Sequence, residues 1–174
     1  MRNTKVTNMS KIKKAVPLIE NKIKVKISFL KDEVKISGSE LNEYMVEEII
    51  GAVDFGFEPE DAMLLAKDFV LEFIDIKKHT YRKNLKDVRA RLIGTDGKAK
   101  RTIENLTGAA IVVKGNNVGV IVDHNHLDSA IQAIELLIQG SKHGNVFSYL
   151  EKRGVQIRNT DDEDLGLKEE KKVG

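Results

Sequence analysis

Gly94-Thr95-Asp96-Gly97 sets two glycines three residues apart, with Arg89 and Arg91 before them and Lys98, Lys100 and Arg101 behind. Glycines allow a backbone to approach a ligand closely, and the free N–H groups that open a following helix attract anions. Cations at the same end complete a set suited to gripping a phosphate backbone. Behind the loop, Ala99, Ile103 and Leu106 recur at helical spacing and mark a buried face, while Lys98 and Arg101 share another. A capped helix–turn–helix with no ligand uses the same residue types, and a bare Gly-x-x-Gly is common. The flanking Leu92-Ile93 and Ile103-Glu104-Asn105-Leu106-Thr107-Gly108 make this string far more specific. Asp96 can cap the loop locally, but its charge repels phosphate, so affinity must lean on Lys98, Lys100, Arg101, Arg89 and Arg91.

Other chemistry is poorly supported. His124 and His126 could suggest a metal pair, yet they flank Asn125 beside Asp123 with no further ligand recognisable in sequence, as in a polar strand-to-helix turn. No phosphate-binding P-loop, nucleophile motif or paired catalytic carboxylate pattern is present, so no catalytic residue, cofactor or metal site is expected. Aromatic residues make up 5% of the chain and Trp is absent, which argues against modules that stack bases on sheets of exposed rings.

The elements that must position the loop come from a chain of 174 residues, 41% hydrophobic and 32% charged, as a globular protein requires. No apolar run approaches the roughly 20 residues of a membrane span. The start, Met1-Arg2-Asn3-Thr4-Lys5, leads into no apolar signal segment, and cysteine is absent, which together fit a cytoplasmic location. A net charge of +2 hides a segregation. Residues 1–31 carry nine Lys or Arg against one acid, residues 32–75 two against thirteen, and residues 77–101 ten against two. The last block surrounds the glycine loop and favours an anionic partner.

Sliding the chain by 84 residues lays Ile19-Glu20-Asn21 on Ile103-Glu104-Asn105, Ile27 on Ile111, Val34 on Val118 and Ile36 on Val120. Each copy then reads helix, strand, polar turn, strand, helix. The strands alternate through Val25, Ile27 and Phe29 then Val34 and Ile36, and through Ala109, Ile111 and Val113 then Val118, Val120 and Val122. Hairpin tips are expected at Asp32-Glu33 and Asn116-Asn117. Closing helices follow, with stripes at Leu41, Met45, Ile49 and Val53 and at Leu127, Ala130, Ile131, Ile134, Leu137 and Ile138. A period this long predicts duplicated domains rather than a solenoid. In the second copy Phe69–Ile76 supplies an opening strand and Leu85–Ile93 a first helix. In the first copy the loop position falls on Ser10-Lys11-Ile12-Lys13, without glycines and with nine residues ahead of it, so the opening strand, the first helix and the glycine loop are all expected to be missing.

The order strand–helix–loop–helix–strand–strand–helix is that of a type I KH module. The fold class is therefore α+β, with two KH type I-like modules: a truncated one over 1–67, a complete one over 68–153, and a flexible charged tail over 154–174. A degenerate KH domain followed by an intact one, the junction Gly56-Phe57-Glu58-Pro59-Glu60-Asp61-Ala62, the loop string Arg91-Leu92-Ile93-Gly94-Thr95-Asp96-Gly97-Lys98, and the ending from Leu137 to Glu151 resemble the Pno/Dim-type KH proteins of small ribosomal subunit assembly. A related family named for its KRR motif shares the tandem; the intact loop favours the first.

The resemblance implies a non-enzymatic factor that binds single-stranded small-subunit rRNA near its 3′ end. It also implies a partner for the first domain: the endonuclease that trims that end, or another assembly factor. Two features depart from the family: the first domain lacks its glycines, and Thr95-Asp96 stands where a Lys or Arg is usual. The implied KH mode runs the sugar-phosphate backbone over Gly94–Gly97 and lays bases against Ile93, Ile103, Ile111 and Val113, residues that also qualify as core. A KH-fold protein scaffold with little RNA affinity, or a KH protein of mRNA or RNA decay, are the rival readings.

Overall fold

A computed structural model describes residues 1–164, with side chains described to residue 160. Chain contacts divide the molecule into two compact units, Met1–Ile74 with Ala110–Ile121, and Asp75–Ala109 with Val122 onward.

In the first unit, β1 (Arg2–Lys5), α1 (Met9–Lys22), β2 (Val25–Leu30), β3 (Glu33–Gly38) and α2 (Glu40–Phe55) follow in chain order. The sheet is antiparallel with the order β1-β3-β2, and β1 pairs from Arg2 opposite Ile36 to Lys5 opposite Glu33. The opening strand expected to be missing is thus present, a correction to the sequence reading. Arg2-Asn3-Thr4-Lys5 has no apolar alternation because β1 is a largely exposed edge strand, held by backbone hydrogen bonds that do not depend on side-chain type. Glu47 on α2 pins it from the side, accepting from Arg2 Nη1 at 2.7 Å and from Thr4 Oγ1 at 3.0 Å. Val6, Thr7 and Asn8 alone join β1 to α1, leaving no space for a further helix or a glycine turn.

After α3 (Pro59–Ala62) and a 3-10 turn, β4 (Phe69–Asp75) opens the second sheet. A 3-10 turn over Ile76–Lys78 leads to α4 (Leu85–Ile93), whose bounds match the helix read from the sequence. Next come α5 (Lys98–Thr107), β5 (Ala110–Lys114), β6 (Asn117–Asp123), α6 (Leu127–Gln139) and α7 (His143–Asp164). The sheet order β4-β6-β5 repeats that of the first sheet, and the internal repeat reaches the register itself. Lys26 opposes Ser37 and Leu30 opposes Glu33; 84 residues later Ala110 opposes Ile121 and Lys114 opposes Asn117. Both tips lie one residue earlier than expected, at Lys31-Asp32 and Gly115-Asn116. Their first residues take φ of 53° and 59°, the positive values that a tight two-residue hairpin turn requires.

The core of the first unit gathers Ile12 and Ile19 of α1, Val34 and Ile36 of β3, Val46, Ile49, Ile50 and Val53 of α2, and Phe57, together with Ala110 and Ile121 of the second hairpin. Strand β6 is consequently buried along Val118–Val122 rather than on alternate residues. Gly119 lies so close to Phe55 and Phe57 that a Cβ there would stand 2.8 and 2.9 Å from their rings. Leu41, read as part of the apolar stripe of α2, is instead exposed; the buried face runs through Val46, Ile49, Ile50 and Val53.

In the second unit, α6 buries Ala130, Ala133, Ile134, Leu137 and Ile138, and α7 contributes Val146 and Leu150, one helical turn apart. The charged tail expected over 154–174 begins inside α7; residues 165–174 lie outside the described residues. Among the described residues no helix is long and apolar enough to cross a membrane.

Candidate nucleic-acid interface

Helix α4 ends where Gly94, at φ 75° and ψ 177°, turns the chain out of the helical path, its N–H donating to the Ala90 carbonyl at 2.8 Å. Thr95, Asp96 and Gly97 then form a single 3-10 turn, closed by Gly97 N–H donating to the Gly94 carbonyl at 3.2 Å. Asp96 takes left-handed values, φ 54° and ψ 28°, which Asp tolerates better than most residues, and Gly97 follows at φ 74°. The two glycines do different work. A Cβ on Gly94 would stand 2.7 Å from both Cβ and N of Ala99, so this glycine permits the close packing of loop on α5. Around Gly97 nothing lies within 4 Å of where a Cβ would be, so this glycine leaves an open approach to the start of α5. Gly97 is the N-cap and has no side chain to occupy the first N–H groups of the helix, whose opening turn contains no acid.

The sequence-derived cations separate into distinct groups. Lys98 and Arg101 are exposed, and among the described residues neither is in an ion pair. Lys100 bonds Glu104 at 2.9 Å along the same helix, and Arg89 is half-buried. Arg91 is turned inward: Nη2 donates to the Gly140 carbonyl at 3.3 Å and to the Ser141 carbonyl, while its Nε is buried without a partner. It secures the α6–α7 connection. His143, at the start of α7, donates from Nε2 to the Arg91 carbonyl at 2.8 Å. Of the apolar candidates, Ile103 and Ile111 are buried, at 1% and 4% exposure. Ile93 is exposed at 36%, and Val113 keeps part of its surface in solvent.

A cavity of about 230 Å³ lies beside the loop, lined by Gly94, Thr95, Lys98, Ala99, His143 and Phe147. His143 and Phe147 lie more than forty residues downstream of the loop, so spacing alone does not tie them to it. Both stand in the Leu137–Glu151 stretch that resembles the family in sequence, and on α7 their rings lie 6.0 Å apart, one helical turn from each other.

In the first unit the loop position falls inside α1, and the start of α1 is held from within the chain. Asp54, near the end of α2, accepts from the backbone N–H of Thr7 at 2.8 Å and of Asn8 at 2.6 Å. The Asn8 side chain caps Lys11 N–H at 3.2 Å, and the Lys11 ammonium is held by the Gly56 carbonyl and by Glu58 at 2.8 and 2.9 Å. Asp54 and Asn8 thus tie down backbone N–H groups just before and in the first turn of α1. At the polar turn before α6, Asp123 accepts from the backbone N–H and Nδ1 of His126, at 3.0 and 2.9 Å, and among the described residues no three metal-ligating side chains converge.

Residues 70–154 match a family model for the eukaryotic-type KH domain, KH type I, of the second KH domain of Pno1 proteins. Dim2p of Pyrococcus horikoshii, solved by crystallography, superposes with a TM-score of 0.75 at 30% identity, over 87% of this chain and 98% of that one. The chain belongs to the Dim2/Pno1 family of KH-domain proteins. A chain of the P. horikoshii a/eIF2alpha–aDim2p–rRNA complex is equally similar, with a TM-score of 0.76 and 30% identity over 89% of this chain and 94% of that chain. Among curated relatives, a KH domain-containing protein of Methanocaldococcus jannaschii is 34% identical over 148 residues, 80% of this chain and 65% of the relative. The pre-rRNA-processing protein pno1 of Aspergillus fumigatus is 31% identical over 117 residues, 64% of this chain and 46% of that protein. The chain therefore spans about two-thirds or less of the length of these curated relatives.

Proposed function

We propose that this protein is an RNA-binding factor of small ribosomal subunit assembly, acting by binding rather than catalysis. In this reading the complete KH domain, residues 68–153, clamps single-stranded rRNA of the 3′ end region. The observation that carries it is the Gly94–Gly97 loop. It combines an unobstructed approach at Gly97, an uncapped helix start, and two exposed cations, Lys98 and Arg101, on one helix face. A strand backbone passes over Thr95 to Gly97, its phosphates meeting the N–H groups of α5 and the charges of Lys98, Lys100 and Arg101, with Arg89 alongside. Asp96 projects from the loop and limits how many phosphates can crowd it. Exposed apolar surface at Ile93 supplies a candidate base contact beside the loop, whereas Ile103 is buried and supports α5 from within. Arg91 and His143 hold the loop's scaffold and do not reach the RNA.

The names of the relatives support the pre-rRNA assignment: one is a pre-rRNA-processing protein, and another crystallised with rRNA. The first domain, residues 1–67, has no glycine turn before α1, and Asp54 ties down the N–H groups of Thr7 and Asn8 there, which favours a protein partner. An endonuclease of the 3′ end, another assembly factor, or a protein of the kind present in the neighbouring complex would fill that role.

The test compares binding of a single-stranded small-subunit rRNA 3′ end fragment with a scrambled one at stated, near-physiological salt. Wild type is run beside a Thr95→Asp/Gly97→Asp variant whose fold is checked by circular dichroism. Both positions are open enough to accept the change: Thr95 is exposed and Gly97 has free space around it. Specific binding by wild type that the folded variant loses supports the clamp. Equal binding by both, or by neither, rejects it and leaves the protein-scaffold reading.

A further inference from the structure

Four of the ten cations in the basic block, Lys77, Lys78, Arg82 and Lys83, precede α4 and have no part in the glycine loop. They lie on the connection from the Ile76–Lys78 turn to Leu85. None of the four is in an ion pair among the described residues. Lys77, Lys78, His79, Tyr81, Arg82 and Gln139 line a concavity of about 660 Å³. Tyr81 is as exposed as a residue can be, at 107% of its reference surface. A tyrosine ring left wholly in water contributes nothing to the core, and here it stands among three cations.

The connection is anchored. Asp75 accepts from Lys77 N–H at 3.0 Å, His79 N–H donates to the Ile76 carbonyl at 3.1 Å, and Arg82 N–H donates to Thr80 Oγ1 at 3.2 Å. His79 Nε2 lies 3.7 Å from Glu135 of α6. The Arg82 guanidinium lies over Gly140, 3.2 Å from where a Cβ would project, so Gly140 makes room for Arg82 on the same α6–α7 connection that Arg91 holds from within. The polar tips of the loop are therefore presented on an ordered base.

We propose that residues 77–82 form a second single-stranded nucleic-acid subsite, with a base stacked on Tyr81 and its flanking phosphates held by Lys77, Lys78 and Arg82. The proposal rests on the RNA-binding reading above and extends it: α4, nine residues and about 13.5 Å long, separates this subsite from the glycine loop. A strand gripped by the loop over about four nucleotides must continue past it to reach Tyr81. Cations alone would serve an acidic peptide as well; the exposed ring among them is what a base requires.

The experiment uses the full chain and two probes from the small-subunit rRNA 3′ end, a tetranucleotide and a dodecanucleotide, titrated by fluorescence anisotropy. Variants are Tyr81→Ala, Tyr81→Phe and Lys77→Gln/Lys78→Gln/Arg82→Gln, each checked by circular dichroism. Tyr81→Ala is expected to weaken the dodecanucleotide about tenfold and to leave the tetranucleotide unchanged, with Tyr81→Phe close to wild type. The triple variant should lower the salt slope for the long probe by about two. Wild-type affinity of Tyr81→Ala for the long probe overturns the subsite, as does an absence of binding by the wild-type chain. So does a triple variant that binds RNA normally but loses affinity for polyglutamate, which reassigns the concavity to acidic protein segments. If Thr95→Asp/Gly97→Asp binds both probes normally while Tyr81→Ala loses the long one, the glycine-loop reading fails and the Tyr81 subsite stands.

Discussion

Gly94 and Gly97 look alike in the sequence, yet replacing each with Ala should have very different consequences. At Gly94, φ 75° with ψ 177° is a region populated almost solely by glycine, costing about 1–3 kcal/mol for any other residue. The added Cβ would also stand 2.7 Å from backbone N and Cβ of Ala99, neither of which can swing aside as the end of a flexible side chain could. Forcing that contact adds about 1–3 kcal/mol of overpacking. Together the loss is about 2–6 kcal/mol, a large share of the roughly 5–15 kcal/mol that stabilises a typical domain. At Gly97, φ 74° and ψ 13° lie in the ordinary left-handed well, with no atom within 4 Å of the new methyl group, so about 1–2 kcal/mol is the whole cost. Urea denaturation followed by circular dichroism, with the slope compared between variants, measures both. Gly94→Ala should shift the midpoint several times further than Gly97→Ala, and the folded Gly97→Ala protein remains available for RNA titration. Equal destabilisation by the two substitutions, or a neutral Gly94→Ala, would refute the assignment of packing to one glycine and access to the other.

Asp54→Ala removes the acceptor shared by Thr7 and Asn8 N–H and should destabilise the protein by about 1–2 kcal/mol in the same denaturation assay. Arg91→Ala frees two carbonyls at the α6–α7 connection and should cost about 1.5–3 kcal/mol, while the folded fraction keeps its RNA affinity, since Arg91 points inward. The Met1 ammonium, followed by the Gly38 N–H, holds the Glu43 carboxyl below the usual carboxylate range. A lowered folded-state pKa means that the stabilisation from Glu43 is fully present above the usual carboxylate value and is lost as pH falls from there through the lowered pKa. Thermal melts of wild type should therefore drop more steeply toward acid than those of Glu43→Gln; parallel curves would remove Glu43 from the account. Lys98→Gln and Arg101→Gln should each reduce the salt slope of single-strand binding by about 0.7, and an unchanged slope would place that cation outside the contact.

Sequence alone determined a good deal here, because much of the information is local. Helical periodicity ending in Gly-x-x-Gly delimited α4 from Leu85 to Ile93, and an offset of 84 residues carried over to the strand register, since β-pairing on one buried face tolerates no slip. The charge blocks and the loop's residue types were equally visible. Tertiary structure decided what depends on partners distant in the chain. Strand β1 was invisible as Arg2-Asn3-Thr4-Lys5 because edge pairing with β3, not hydrophobic alternation, makes it a strand. Burial of Ile121 and the need for glycine at 119 arise because the rings of Phe55 and Phe57 pack there. Arg91 reads in sequence as one more cation beside the loop; the carbonyls of Gly140 and Ser141, some fifty residues away, turn it into a structural tie. Asp54, forty-six residues beyond Asn8, ties down the entry to α1 in the same way. Spacing shows which charges share a helix face, but only the folded chain shows which of them its own polar groups already satisfy, and so which remain to meet a ligand.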